Sequence, residues 1–175
     1  MDELALTQEP VASLEGKIRA LAARMSRRPE EGGLGTGEMA ELRRWRYGGE
    51  IQPSAWRLLA RHCHTPQGVM GMVLENRWLA LLAGMAHMSP NPHRPGANPG
   101  RVLAEAGYSE TRLHKLLNSQ DEAFLDAVDR TCRFLRAKGA AVDWTRFAPL
   151  ILTLDPEKAE SHRRDLARDY FSHQQ

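Results

Sequence analysis

The sequence predicts an all-α protein, a compact helical bundle of about eight to nine helices. Apolar residues recur at intervals of three and four along most of the chain, which is the spacing of a helix buried on one side. Capping residues and prolines precede these segments and glycines follow several of them. No stretch alternates apolar and polar residues as a half-buried strand would. With 175 residues, 42% of them hydrophobic, the chain can bury a core without a disulfide or a metal.

Residues 1–10 are predicted to be a disordered acidic tail, followed by an N-terminal helical lobe over residues 11–96. In the first helix Ile18, Leu21 and Met25 recur at helical spacing. Thr36 is the expected cap of the next helix, and Gly48 and Gly49 are expected to end it. The predicted helices of this lobe cover residues 11–28, 37–47, 53–63 and 66–88.

Residues 89–100 hold four prolines and two glycines, which excludes a helix interior and predicts a linker between two packed lobes. The C-terminal lobe covers residues 97–175. Its predicted helices span residues 99–106, 110–118, 122–138, 143–154 and 156–171. The expected caps are Asn98, Ser109, Asp121, Asp143 and Asp155. Gly107 and Gly139 are expected to end the helices that precede them.

Arginine dominates the positive charge of the chain. Of 24 cationic side chains 20 are arginines, and residues 1–15 carry four acids and no base, so the remainder carries a formal charge of +6 against +2 for the whole chain. Arginine matches phosphate geometry with two parallel hydrogen bonds, so the excess fits phosphate recognition. A GC-rich genome would produce the same ratio through its codons, and that alternative stays open.

Cations on separate predicted helices can form a groove that follows a phosphate backbone without distinguishing bases. The candidate nucleic-acid-binding residues are Arg43, Arg44, Arg46, Arg77, Arg101, Arg112, Lys115, Arg130 and Arg133. For Arg130 and Arg133 a structural interpretation competes, because Asp126 and Asp129 stand four residues before them and would form helical ion pairs. Tryptophans and phenylalanines fall mostly at core spacings, and Trp45 is the one placed among arginines.

No catalytic residue, metal site or cofactor is predicted. The adjacent residues His62, Cys63 and His64 point in different directions on a helix and lack a second half-site, so they do not form a convergent ligand set. Motifs for nucleophilic, metal-dependent or nucleotide-dependent catalysis are absent from the sequence. Cys63 and Cys132 are expected to be free buried thiols in a reducing compartment. The acidic N-terminus argues against a secretory signal, and no apolar stretch is long enough to cross a membrane.

Several segments together resemble a known family. GRVLAEAGYSETRLHKLL at 100–117 is similar to a segment shared by the small subunits of the type I-E CRISPR interference complex, Cascade (the CasB family). AELRRWRYGG at 40–49 resembles the family's early arginine-rich helix, and PSAWRLLARH at 53–62 its proline-aromatic helix start. RAKGAAVDW and RDLARDYF continue the likeness downstream. The family's tryptophans are missing from PLILTLDPEKAE, which concerns partner-facing surfaces more than the fold.

The resemblance implies a non-enzymatic, cytoplasmic subunit that stabilises the duplex of guide RNA and target DNA, or the displaced strand. Its implied partners are the backbone and large subunits of Cascade, the guide RNA and the target DNA, with two copies per complex. Family members contact nucleic acid through basic residues in the segments of Arg43 and Arg44, Arg77, Arg112 and Arg130.

The alternative is a helical protein-interaction module without nucleic-acid contact. The positions of four residues distinguish the two hypotheses: Arg43, Arg44, Arg77 and Arg112. If they lie on one continuous face, nucleic-acid binding is favoured. If they are scattered over the molecule, the interaction module is favoured.

Overall fold

The computed structural model describes residues 13–173 and folds them into nine α-helices and one 3-10 turn, Pro29–Glu31, with no β-strand in that range. The all-α prediction is therefore confirmed. The predicted acidic tail lies outside the described residues. The helices are α1 (Leu14–Ser26), α2 (Thr36–Arg44), α3 (Pro53–His62), α4 (Val69–Met88), α5 (Pro99–Glu105), α6 (Glu110–Asn118), α7 (Asp121–Ala137), α8 (Trp144–Leu152) and α9 (Pro156–Phe171).

Most predicted caps of the C-terminal half are confirmed. The side chains of Asn98 and Ser109 accept hydrogen bonds from the backbone N–H groups of Arg101 and Arg112, at 3.2 and 3.4 Å. Asp143 and Asp155 cap α8 and α9 in the same way. Gly107 and Gly139 adopt left-handed conformations, with φ of 76° and 63°, at the ends of α5 and α7. Short polar side chains and glycines therefore determine where these helices begin and end.

Four details of the helix predictions are wrong. Thr36 is the first residue of α2 rather than its cap, and the Glu38 carboxylate instead accepts from the Gly35 N–H at 2.9 Å. α2 ends at Arg44 rather than at residue 47, because the backbone extends at Trp45 and its side chain is buried. Asp121 is the first residue of α7, at a φ of 46°, and makes no capping bond. α4 begins at Val69, since the left-handed Gly68 interrupts any helix from residue 66.

α4 is the central helix of the core. Every residue from Trp78 to Met88 is buried, and α7 packs along it more extensively than any other helix in the described range. A Cβ added at Gly84 would lie 2.7 Å from the Cys132 sulfur of α7, so the two helices approach closely at a glycine. Trp45, Trp78 and Trp144 are buried, whereas Trp56, expected at a core position, is 48% exposed.

The proline-rich segment 89–98 is irregular, as predicted, and is held against the start of α8. The Trp144 indole N–H donates to the Pro92 carbonyl at 2.8 Å, and the Gly96 N–H donates to the Asp143 carboxylate at 2.8 Å. The backbone N–H of Trp144 donates to the His93 Nδ1, which is thus an acceptor rather than the charged partner of Asp143. Buried residues from both sides of this segment belong to one core cluster, and the division into two lobes stays a prediction.

Candidate nucleic-acid interface

Four of the nine predicted binding residues line one groove between α6 and α7, with a volume of about 660 Å³. These are Arg112, Lys115, Arg130 and Arg133. The other lining residues are Tyr108, Ser119, Ala123, Asp126, Ala127 and Phe134. The groove therefore has four cationic side chains, one carboxylate and an aromatic floor.

The burial pattern of the two helices explains why these cations face the groove. α6 buries Leu113 and Leu116 in the core, whereas Arg112 and Lys115, each one residue before a buried leucine, are exposed. α7 buries Phe124, Leu125, Val128, Thr131, Cys132 and Leu135. Arg130 and Arg133 lie off that buried stripe and are exposed. The helical period alone thus separates apolar anchors from outward cations on both helices.

Phe134 forms the floor beneath Arg112. The guanidinium carbon of Arg112 lies 5.3 Å from the centre of the Phe134 ring, and the Lys138 Nζ lies 5.7 Å from it. Tyr108 packs edge-on against the same ring at 5.0 Å. The Tyr108 hydroxyl donates to the Thr131 hydroxyl at 2.7 Å, since Thr131 itself donates to the Ala127 carbonyl. Burial raises the pKa of Tyr108, so this residue stays neutral and acts as a support.

The two ion pairs expected on α7 have different outcomes. Arg133 Nε lies 2.9 Å from Asp129 Oδ2, so this pair is confirmed. The expected pair of Asp126 with Arg130 is wrong: no carboxylate of the described residues lies within 4.0 Å of the Arg130 guanidinium. Arg112 and Lys115 also have no acidic partner within that distance in residues 13–173. Three of the four groove cations are therefore not neutralised by an ion pair with any described residue.

A second group of arginines surrounds the C-terminal end of α4. Arg43 Nε donates to the Ala86 carbonyl at 2.8 Å, and Arg136 Nη1 donates to the His87 carbonyl at 2.9 Å. The last carbonyls of a helix lack partners within the helix and attract cations, which explains this placement. Burial and the neighbouring charge of Arg136 lower the pKa of Arg43. Arg46 caps α2 by donating to the Arg43 carbonyl at 3.1 Å.

Asp129 joins this second group to the groove. Its Oδ1 lies 3.0 Å from His87 Nε2 and 3.8 Å from Arg46 Nη1, while its Oδ2 binds Arg133. The carboxylate is 19% exposed, so it lies at the boundary between core and solvent. One acid thus contacts side chains from the end of α2, from α4 and from α7.

The remaining three predicted residues lie apart from the groove lining. Arg77 Nη1 donates to the Ile151 and Thr153 carbonyls at 2.9 and 3.1 Å, where α8 ends, and burial lowers its pKa. Arg101 Nε pairs with Glu105 at 2.7 Å on the surface of α5. Arg44 Nε donates to the Ala40 carbonyl within α2 at 3.1 Å. The set of Arg43, Arg44, Arg77 and Arg112 consequently does not share one site.

Sequence reasoning missed the roles of Phe134, Tyr108 and Asp129. Phe134 was expected in the core, yet it lies four residues after Arg130 and one after Arg133, a spacing that places it beside the groove. For Asp129 the sequence predicts only the pair with Arg133. Its contacts with His87 and Arg46 cross 42 and 83 residues of sequence, and no local pattern predicts them.

The histidines and cysteines form no metal centre in the described range, where no group of three potential ligands converges. Cys63 is buried, and burial raises the pKa of its thiol to about 12. Desolvation lowers the pKa of His62, and the nearby positive charges of Arg24, Arg61 and Lys17 lower it further by smaller amounts. In residues 13–173 no helix combines the length and the apolar character needed to cross a bilayer.

Comparison with known proteins places most of the chain, including the groove, in a described family. The family model described as CRISPR-associated protein Cse2 matches residues 38–171. Among solved structures, the fold is similar to a chain of the crystal structure of E. coli Cascade bound to a PAM-containing dsDNA target. That similarity has 20% identity and a TM-score of 0.66, and covers 89% of this chain and 94% of the other. No curated protein matches the sequence.

Proposed function

The chain belongs to the Cse2 family of CRISPR-associated proteins, and from this premise we propose that it is a non-catalytic, nucleic-acid-binding subunit of a Cascade complex. The groove between α6 and α7 contacts the nucleic acid. The observation that carries this proposal is that Arg112, Lys115 and Arg130 converge on one groove from two helices, none of them in an ion pair with an acid of the described residues. When such cations bind phosphates, they release the counterions that were condensed on the nucleic acid.

The groove binds the backbone of the nucleic acid rather than its bases. Arg112 and Lys138 lie over the ring of Phe134 and Tyr108 packs against it, so this ring is not an open stacking platform. Base pairing with a guide RNA supplies the sequence specificity, and the protein stabilises the R-loop by binding the phosphates of the nucleic acid. Binding is therefore independent of sequence and strongly dependent on salt.

The partners that we propose are the backbone and large subunits of the complex, the guide RNA and the target DNA, with two copies of this chain per complex. The similarity in fold to a chain of DNA-bound E. coli Cascade supports other Cascade subunits and nucleic acid as partners. A reaction catalysed by this chain is not part of the proposal, and neither is a cofactor. A cytoplasmic location stays a prediction.

The experiment is a charge reversal in the groove. We expect the double variant Arg112→Glu/Arg130→Glu to keep its helical circular dichroism. Its affinity for a single-stranded oligonucleotide is expected to fall at least tenfold, and the R-loop in the assembled complex is expected to become less stable. The matched control is Arg164→Glu/Arg168→Glu, which makes the same charge change at two exposed residues of α9. Equal affinities of the two variants would overturn the assignment of the groove.

The number of phosphates bound is a second readout. If Arg112, Lys115 and Arg130 each neutralise one phosphate of a single strand, the slope of log affinity against log salt is about −2. A slope near zero for the wild-type protein would contradict nucleic-acid binding altogether.

A helical protein-interaction module is the second candidate, and two observations favour it. The side chains of Val69, Met70, Met72 and Val73 at the start of α4 are exposed, which is typical of a contact surface. Arg43, Arg44, Arg77 and Arg112 also do not share one site. Under this alternative, substituting Met70 and Met72 by Ser would prevent assembly with the other subunits, while the groove variant would assemble and function normally.

A further inference from the structure

Among the described residues, Asp129 is the carboxylate that forms ion pairs with both Arg133 of the groove and Arg46 near the end of α4. We propose that Asp129 is a positioning residue that restrains nucleic-acid binding, because it neutralises Arg133 and Arg46 in the protein without ligand. This proposal rests on the proposed function of the groove. Asp129 thereby limits the number of cations that the surface offers to phosphates.

The geometry of the three contacts carries the first step. Asp129 Oδ2 lies 2.9 Å from Arg133 Nε and forms an ion pair with it, while Arg46 Nη1 lies 3.8 Å from Oδ1. The guanidinium side chains of Arg133 and Arg46 are 46% and 47% exposed, so both remain reachable from solvent. A phosphate can therefore compete with the carboxylate for the same two donors.

The anchoring of the carboxylate carries the second step. Asp129 Oδ1 lies 3.0 Å from Nε2 of His87, whose side chain is only 10% exposed. His87 belongs to the central helix α4, so this contact fixes the carboxylate to the core while both arginines approach it from the surface. The acid stays in place when a ligand approaches, and only the flexible arginines can reorient.

The charge balance carries the third step. Around Asp129 the structure gathers Arg43, Arg46, Arg133 and Arg136, of which Arg43 and Arg136 are committed to backbone carbonyls of α4. Arg46 and Arg133 are the two that have Asp129 as an ionic partner. Arg46 Nη1 also donates to the Arg43 and Trp45 carbonyls, whereas Arg133 lines the groove. Removing the negative charge of Asp129 therefore adds one available cation, Arg133, beside Arg112, Lys115 and Arg130.

The test uses the full chain and a single-stranded oligonucleotide at several salt concentrations. Asp129→Asn keeps the shape of the side chain and an oxygen for His87. We expect it to bind about three- to tenfold more tightly at low salt, with a salt slope steeper by about 0.7 for each cation released. Asp126→Asn is the matched control, because it removes the same charge from a lining residue that has no ion-pair partner in residues 13–173. That control is expected to tighten binding without changing the slope.

A double-mutant cycle with Arg133→Gln separates restraint from general electrostatics. We expect Arg133→Gln to weaken the wild-type protein by less than about twofold and to remove most of the gain of Asp129→Asn. Equal losses in both backgrounds, or an unchanged slope in a folded Asp129→Asn protein, would overturn the restraint while leaving the groove intact. Absence of salt-dependent binding in the wild-type protein would instead overturn the proposed function, and the restraint with it. Thermal unfolding of each variant shows whether it is folded.

Discussion

Arg112 on α6 lies over the ring of Phe134 on α7, with 5.3 Å between the guanidinium carbon and the ring centre. The ring holds the cation at the groove without neutralising its charge. A carboxylate partner would neutralise that charge. A cation over an aromatic face gains about 0.5–1 kcal/mol at an exposed site. The contact therefore orients Arg112 at little electrostatic cost to phosphate binding.

We expect Phe134→Leu to weaken oligonucleotide binding by about two- to fivefold, because the cation loses up to about 1 kcal/mol of orienting contact. The measurement is a binding titration at fixed salt, together with the salt slope. The slope is expected to stay unchanged, since no charge is removed. Phe171→Leu is the control, because this exposed ring is not among the residues that line the groove. Unchanged affinity of folded Phe134→Leu would contradict an orienting role of the ring.

We expect Arg77→Gln to lower the free energy of unfolding by about 1.5–3 kcal/mol, because Arg77 is half-buried and donates to two carbonyls at the end of α8. Urea denaturation measures this loss. Arg101→Gln is the control, since its exposed pair with Glu105 contributes about 0–1 kcal/mol. The Arg77→Gln variant also tests the sequence-based prediction that Arg77 contacts nucleic acid. Lost affinity in an Arg77→Gln protein of unchanged stability would support that contact and contradict the structural role.

We expect the stability of the protein to fall in acid partly through Asp143. Burial by itself raises the pKa of Asp143, but hydrogen bonds from Thr145 and the Gly96 N–H outweigh it and lower the pKa below the usual value of an aspartate. A carboxylate with a lowered folded-state pKa stabilises the protein above its unfolded-state pKa. That stabilisation disappears as the pH falls through the folded-state pKa.

Thermal unfolding between pH 7 and pH 2 measures this dependence. Asp143→Asn is expected to be less stable than wild type at pH 7 and to lose less stability below about pH 4. Glu122→Gln is the control, an exposed acid in the first turn of α7. Parallel pH curves for wild type and Asp143→Asn would show that Asp143 does not contribute to the acid sensitivity.

Local chemistry explains which helix predictions succeeded. Asn98, Ser109, Asp143 and Asp155 act on backbone N–H groups two or three residues away, so their capping can be predicted from a short window. The end of α2 could not be predicted in this way, because the burial of Trp45 depends on distant helices. The left-handed Gly68 likewise moved the start of α4 against the proline signal at residue 66.

The candidate site divides along the same line. Arg112 and Lys115, and likewise Arg130 and Arg133, could each be assigned to an exposed helical face from the spacing of their apolar neighbours. That the two faces form one groove depends on how α6 and α7 pack. The sequence also could not indicate that Arg43 and Arg77 donate to carbonyls of α4 and α8, because those carbonyls lie 43 and 74 residues away.

The sequence by itself determined the all-α class, most helix boundaries, the family resemblance and the excess of arginine, because these depend on side chains within one or two helical turns. The tertiary structure alone decided which arginines have neutralising partners. It left Arg112, Lys115 and Arg130 without an acid in the described range and gave Arg133 and Arg46 a shared carboxylate. The physical reason is that the contacts of Asp129 with His87 and Arg46 depend on helix packing, which brings together groups from three separate segments.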